Sequence, residues 1–298
     1  MGCKNWVLEL GVRARGNAIF TDNITVLGEA AVIWQLMLEA LPVVLMIALA
    51  NWLVSLYLDR VSTAKYSWSI MLAAATLIYA QTLGFNGPVE VALVIMVVVW
   101  ALRLAVFLLV RDRNQPEDRR YRMMRKRYSP NFGFKSFYLI FMSQAVLAWL
   151  LSSIFAIVLK TAADSQVQWG IYHYAGVALW TFGLCFEGLA DRQLYAFNRQ
   201  VIKQSHTLST GLWRYSRHPN YFGECCVWWA WFIFAIPSGD AAVLLAPLLM
   251  TVMLARVTGI NLVELDIVTR RPDYASYQKS TSILIPMPPP EPVSREIS

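Results

Sequence analysis

Residues 209–224 read Ser-Thr-Gly-Leu-Trp-Arg-Tyr-Ser-Arg-His-Pro-Asn-Tyr-Phe-Gly-Glu and crowd polar and aromatic side chains against the start of an apolar stretch. Pro219 suits a turn that opens a helix, and Asn220 suits its first turn. Backbone N–H groups at such a start, with Arg214 and Arg217 nearby, make a site for a phosphate or carboxylate. His218 and Tyr221 exchange protons or hydrogen bonds. Glu224 would enter the membrane at the head of the span, where an acid is costly unless partnered, so it marks a functional position. Singly, each residue also suits a bland role as a helix anchor at the headgroup boundary. Their density in one segment favours chemistry.

What must position this segment follows from composition. Of 298 residues, 57% are hydrophobic and only 15% charged, against about 25% charged in a typical soluble domain. The apolar residues come in long runs, at about 30–58, 67–83, 89–110, 136–160, 170–190, 223–236 and 241–262. A membrane helix needs about 20 residues. The expected fold is therefore all-α: a polytopic membrane protein with about seven transmembrane helices. The sixth run stops at Pro237-Ser238-Gly239-Asp240, which predicts a tight hairpin into the seventh. Pro42 and Asn51 in the first run predict a kink or an interfacial start.

The net charge of +7 is spread unevenly. The loop 111–135 holds nine basic residues against three acids, and 191–222 adds Arg192, Arg199, Lys203, Arg214 and Arg217. Loops 83–89, 161–169 and 237–240 hold no basic residue. With seven spans, both basic loops and the C-terminus share one side, which the positive-inside rule makes cytoplasmic or matrix-facing, with the N-terminus outside. Topology and anionic headgroups explain the 111–135 run better than nucleic acid does. The cysteines Cys3, Cys185, Cys225 and Cys226 have neither disulfide nor zinc spacing, so no metal is expected. Met1-Gly2-Cys3 starts like a myristoylation motif, but Trp6 stands where Ser or Thr is required. No secretory signal is read in the first 30 residues. The division expected is an N-terminal extension at 1–29, a membrane domain at 30–286 and a proline-rich tail at 287–298, with 286–292 extended and outside the fold.

Gly211-Leu212-Trp213 followed by Ser216-Arg217-His218-Pro219-Asn220-Tyr221-Phe222-Gly223-Glu224 resembles the signature of the steroid 5-alpha-reductase-like membrane family. Trp100-Ala101-Leu102-Arg103-Leu104, Arg111, Glu117-Asp118-Arg119-Arg120-Tyr121, Gln144, Asp191-Arg192-Gln193 with Phe197, Gly259-Ile260, Glu264 and the 273–286 segment are similar to its bacterial and protist branch. The resemblance covers roughly 90–286. It implies a helical membrane enzyme whose C-terminal part, about 190–286, encloses NADPH. It also implies hydride transfer to a carbon–carbon double bond of a lipid or steroid-like substrate.

On this chain the resemblance implies that Asp191, Arg192, Trp213, Arg217, His218, Asn220, Tyr221, Glu264, Tyr274 and Tyr277 bind the cofactor, with Arg214 and Lys279 as weaker candidates. Tyr221, Glu224 and Glu39 would be the catalytic candidates. Glu39 is chosen as the acid inside an N-terminal apolar run, with pairing to Arg103 or an interfacial place as its alternatives. No Gly-x-Gly-x-x-Gly loop is present. Trp100 stands where animal steroid reductases carry a tyrosine, and an indole cannot deliver a proton at neutral pH.

Two rival readings remain. Arg-His-Pro-x-Tyr also occurs in isoprenylcysteine and phospholipid methyltransferases that use S-adenosylmethionine, but their double acid is matched here only by Glu264 and, imperfectly, Asp266. Alternatively, the fold serves as a non-catalytic membrane subunit of a larger complex. Membrane lipids and other membrane subunits are the partners expected. The compartment expected is the endoplasmic reticulum, with the mitochondrial inner membrane as the alternative.

Overall fold

The computed structural model describes residues 3–85, 87–113, 115–165, 167–199, 206–257, 264, 267, 268 and 271–289, with side chains from residue 28 onward. Among these there is no strand. The helices are α1 (Cys3–Tyr57), α2 (Ala64–Leu83), α3 (Pro88–Asp112), α4 (Arg119–Arg127), α5 (Phe132–Ser136), α6 (Ser143–Leu151), α7 (Ser153–Ser165), α8 (Ile171–Asn198), α9 (Pro219–Ala235), α10 (Leu245–Val252) and α11 (Tyr274–Ser280). A π-helical segment, Phe137–Met142, joins α5 to α6, and a 3-10 turn, Gly211–Arg214, precedes α9.

Each apolar run of the sequence falls on helix, although 258–262 of the last run lies outside the described residues. Among the described residues, three stretches are long and apolar enough to cross a membrane: Gly28–Tyr57, Pro88–Asp112 and Phe132–Asp164. Proline sets two starts: Pro88 and Pro219 open α3 and α9, where a missing N–H costs nothing. Pro42 lies inside α1, and the helix continues through it.

One aromatic cluster fixes how α3, α7 and α9 meet. Trp231 on α9 has its ring centre 5.1 Å from Trp100 on α3 and 4.9 Å from Phe155 on α7, both edge-on. Edge-to-face pairs of this kind add about 0.5–1.5 kcal/mol beyond burial. Glu224, Trp228 and Trp231 recur at the spacing of one helix face, so the face that builds this core also carries Glu224 to the centre of the molecule.

α8 and α9 run antiparallel and in backbone contact. A Cβ added at Gly183 would lie 2.8 Å from the Gly223 carbonyl, and one at Gly223 would lie 2.7 Å from the Glu187 backbone N. Only hydrogen fits at these positions, and the close approach sets Glu187 and Asp191 on α8 against Asn220 and Glu224 on α9.

The chain beyond α11 differs from expectation. Arg217 N donates to Ser282 O at 2.8 Å, Ser216 Oγ to Leu284 O at 2.8 Å and Met287 N to Tyr215 O at 2.9 Å. The start of the proline-rich run is thus tied to the segment before α9 rather than lying outside the fold. Residues 290–292 of that run lie outside the described residues.

Candidate functional site

The site grows from the α8–α9 contact. Glu187, Asp191 and Glu224 are 4%, 3% and 5% exposed, so three carboxylates are withdrawn from water together. Arg103, one turn beyond Trp100 on α3, spans two of them: Nη1 is 2.6 Å from Glu187 Oε1 and Nη2 is 2.7 Å from Asp191 Oδ2. Glu224 accepts from neutral donors instead, Trp100 Nε1 at 2.9 Å and Trp228 Nε1 at 3.0 Å. Buried charge is tolerated only with such partners. Asn220 Nδ2 donates to Asp191 Oδ1 at 3.3 Å, while its Oδ1 has no partner among the described residues.

Two chambers open on either side of Asn220 and Tyr221. The first, of about 350 Å³, is rich in cations. Its lining contains six cations, Arg60, Lys65, Arg111, Arg120, Arg217 and Arg271, against two aspartates, Asp112 and Asp118. Trp213, His218, Tyr274 and Tyr277 complete its C-terminal wall. The second, of about 380 Å³, is lined chiefly by apolar side chains from α2, α3, α4, α6 and α10, among them Trp68, Leu104, Phe107, Met124, Leu147 and Met250. Its polar floor is Glu187, Asp191 and Glu224, with Gln144 on its wall. Lys65, Arg111, Arg120, Asn220 and Tyr221 line both chambers and form the partition.

The partition's cations are held in place by acids. Lys65 Nζ lies 2.6 Å from Asp112 and 3.3 Å from Asp118, and Arg120 lies 3.0 Å from Asp118. Asp118 also caps α4, accepting from Arg120 N at 3.1 Å. Burial alone would raise the Asp118 pKa, but the bonds and charge of Arg120 outweigh it and hold the carboxyl below the usual carboxylate range.

The C-terminal segment closes the first chamber through Glu264. Its carboxylate lies 2.6 Å from Arg217 Nη1 and 2.9 Å from His218 Nε2, and accepts from Gln278 Nε2 at 2.8 Å. Burial would raise the Glu264 pKa, yet the bonds from His218 and Gln278 and the charge of Arg217 hold it low. With one terminal nitrogen engaged, the Nε of Arg217 has no partner among the described residues. Tyr277 donates its hydroxyl to the Trp213 carbonyl, and Trp213 Nε1 donates to Ala190 O at 3.1 Å. The His218 ring stacks on Tyr221, with centroids 5.2 Å apart. Gly211 reaches φ +63° against the Gln193 side chain, where any Cβ would collide, and this lets Leu212 N donate to Gln193 Oε1 at 3.0 Å.

Trp213, Arg217, His218, Asn220, Tyr221, Tyr274 and Tyr277 thus come together on the first chamber, with Glu264 behind them. Asp191 and Glu224 meet the second, and Tyr221 meets both. Two candidates stand apart. Glu39 is exposed on α1, bonded to Gln35 at 3.2 Å and Thr82 at 3.0 Å, and lines neither chamber. It does not pair with Arg103, whose partners are Glu187 and Asp191. Arg192 is exposed and lines a separate outer hollow with Leu102, Val106 and Tyr195. One residue along a helix rotates the side chain by about 100°, so Asp191 facing in turns Arg192 away. Arg214 and Lys279 are likewise exposed.

Sequence reasoning missed Glu187, an acid inside an apolar run that should have been flagged for that reason alone. It also missed the convergence of Lys65, Arg111 and Arg120 on the same chamber as Arg217.

A family model matches residues 51–281 and carries the description "Protein of unknown function (DUF1295)". The chain belongs to that family. No curated protein and no solved structure matches it. The matched span contains every residue lining the two chambers, whereas Glu39 falls before it.

Proposed function

We propose that this DUF1295 protein is a membrane-embedded, NADPH-dependent reductase of a carbon–carbon double bond in a lipid or steroid-like substrate. The observation that carries this reading is the pair of chambers, one cationic and one apolar, sharing Asn220 and Tyr221 as their wall. A phosphorylated dinucleotide suits the first and a lipid the second.

The donor set fits that cofactor. Its phosphates bring several negative charges, and the first chamber offers six cations with two aspartates. Arg217 and the partition cations would hold the phosphates. The open Nε of Arg217 and the open Oδ1 of Asn220 are polar atoms that a ligand would satisfy. When bound, NADPH supplies a hydride. The Tyr221 hydroxyl would place a proton at the wall between the chambers. Arg103 and the two indoles hold the acids of the second chamber in position. S-adenosylmethionine, with its sulfonium and ammonium charges, suits this cationic chamber poorly, which weighs against the methyltransferase reading.

We place the remaining helices in the membrane beside the three apolar ones, giving seven spans. α2, with 20 residues, reaches about 30 Å, the thickness of a bilayer core. In this reading the N-terminus lies outside, while α4 and the first chamber face the cytoplasm or matrix. Residues 30–286 form the membrane domain, and the endoplasmic reticulum is the compartment.

The test is the thermal midpoint of the detergent-purified protein with NADPH and, in parallel, S-adenosylmethionine. Ligand at a hundred times its dissociation constant adds about 2.7 kcal/mol. NADPH should raise the midpoint, and Arg217→Gln and Asn220→Ala should lose most of that rise. A rise with S-adenosylmethionine alone, or none with either ligand, would end the reductase reading; the second outcome would favour a non-catalytic subunit.

A further inference from the structure

α4 has the sequence Arg-Arg-Tyr-Arg-Met-Met-Arg-Lys-Arg, with six basic residues and no acid in nine positions. Its two faces differ in what they do with that charge. On the inner face Arg120 pairs with Asp118, and Arg125 pairs with Asp59 at 2.9 Å and Glu117 at 3.3 Å. Tyr121 and Met124, on the same side, pack against the cluster around Phe132 and Phe141 and line the second chamber. On the outer face Arg122, Met123, Lys126 and Arg127 are all exposed, and the three cations have no acidic partner among the described residues.

Chain connectivity fixes where this outer face lies. α4 begins seven residues after the apolar helix Pro88–Asp112 ends and finishes five residues before the apolar stretch Phe132–Asp164 begins. A helix tethered so closely between two membrane helices lies on the bilayer surface. The neighbouring helix ends expose apolar side chains, with Leu109 51%, Val110 54% and Phe134 67% exposed. The outer face is thus three unpaired cations and one methionine, set beside lipid-facing residues. Anionic headgroups with acyl chains beneath them match this surface.

We propose that the outer face of α4 is a docking surface for anionic phospholipid in the bilayer that holds the protein. The same helix roofs both chambers through Arg120 and the second through Tyr121 and Met124. Bilayer charge therefore sets how firmly that roof is held down. The inference rests on the membrane placement but not on the identity of the cofactor.

The experiment is amide hydrogen exchange of the full chain in lipid nanodiscs, comparing neutral phosphatidylcholine with a mixture containing about a third phosphatidylglycerol. At roughly 1 kcal/mol of attraction per surface Lys or Arg, exchange at 119–127 should slow by tenfold or more in the anionic discs. The triple variant Arg122→Gln, Lys126→Gln, Arg127→Gln should lose that slowing, while Arg122→Lys with Arg127→Lys should keep it. Unchanged exchange along α3 and α8 checks that the triple variant is folded. Equal exchange at 119–127 in the two lipids would overturn the proposal. So would slowing by a short RNA duplex added to neutral discs without slowing by lipid. Neither readout involves NADPH, so failure of the reductase reading would leave this result standing.

Discussion

Trp100 on α3 donates its indole N–H to Glu224 on α9 at 2.9 Å, across a boundary that also carries the aromatic core. An indole N–H neutralises no charge and delivers no proton at neutral pH. It holds an acid. Trp100→Phe removes that donor while keeping most of the apolar volume and leaves one Glu224 oxygen without its partner. Losing a buried hydrogen bond to a charged group costs about 1.5–3 kcal/mol, so the thermal midpoint of the solubilised variant should fall. Adding Glu224→Leu should restore part of the loss, because no carboxylate then needs the indole. A Trp100→Phe variant as stable as the parent would show that Trp228 alone satisfies Glu224.

The glycines of α8 and α9 give a second prediction with an internal control. Gly223→Ala would set a methyl 2.7 Å from the Glu187 backbone, where no flexible side-chain end can give way. The helices must separate, at about 1–3 kcal/mol by the usual cost of overpacking. Gly188→Ala, five residues from Gly183 on the same helix, would meet only the Arg103 guanidinium at 3.6 Å, an ordinary contact. There the better helix propensity of alanine should add about 0.5–1 kcal/mol. Thermal midpoints that move in opposite directions for the two variants are the expected result. Equal tolerance of both would mean that the α8–α9 approach is not close.

How much of this was legible depends on how far apart the contributing residues lie in the chain. Trp213, Arg217, His218, Asn220 and Tyr221 fall within one nine-residue stretch, so their density is legible directly, and the first chamber gathers all five. The helical class was equally readable, because long apolar runs leave the backbone few other ways to satisfy itself in lipid. Lys65, Arg111 and Arg120 come from three separate helices, and no periodicity in the sequence says that these helix ends converge. The charge of Arg111 and Arg120 reads as topology in the sequence, yet the same cations, with Lys65, form the chamber partition. Glu39 was chosen for lying in an apolar run. Thr82 and Gln35 satisfy it on the exposed side of α1, while Glu187, by the same criterion the better choice, lies at the centre.

Arg103 is the hinge of the acidic cluster, and its removal is expected to cost more than loss of the Trp100–Glu224 bond. Arg103→Gln leaves Glu187 and Asp191, 4% and 3% exposed, without their shared cation. Breaking a buried pair from one side costs about 3–5 kcal/mol. The paired change Arg103→Gln with Glu187→Gln should recover part of this by removing one of the stranded charges. Denaturant midpoints in mild detergent would separate the two. If Arg103→Gln is neutral, water reaches the acids and the cluster is not buried.

Glu264 links stability to pH in a defined direction. Its folded pKa lies below the usual carboxylate range: burial opposes the shift, but hydrogen bonds from His218 and Gln278 and the Arg217 charge prevail. An unfolded glutamate titrates near pH ~4.3. With the folded value depressed, the protein gains stability from this group at pH above about 4.3 and loses it as pH falls through the folded value. The thermal midpoint of the parent protein should therefore exceed that of Glu264→Gln at neutral pH and approach it as the pH drops below about 4. Asp273, also held low through its bonds to Thr207 against the opposing effect of burial, acts in the same direction and stays intact in both proteins, so the difference between them isolates Glu264. A constant difference down to acid pH would mean that Glu264 contributes by packing alone and that the Arg217–His218 clamp is not electrostatic.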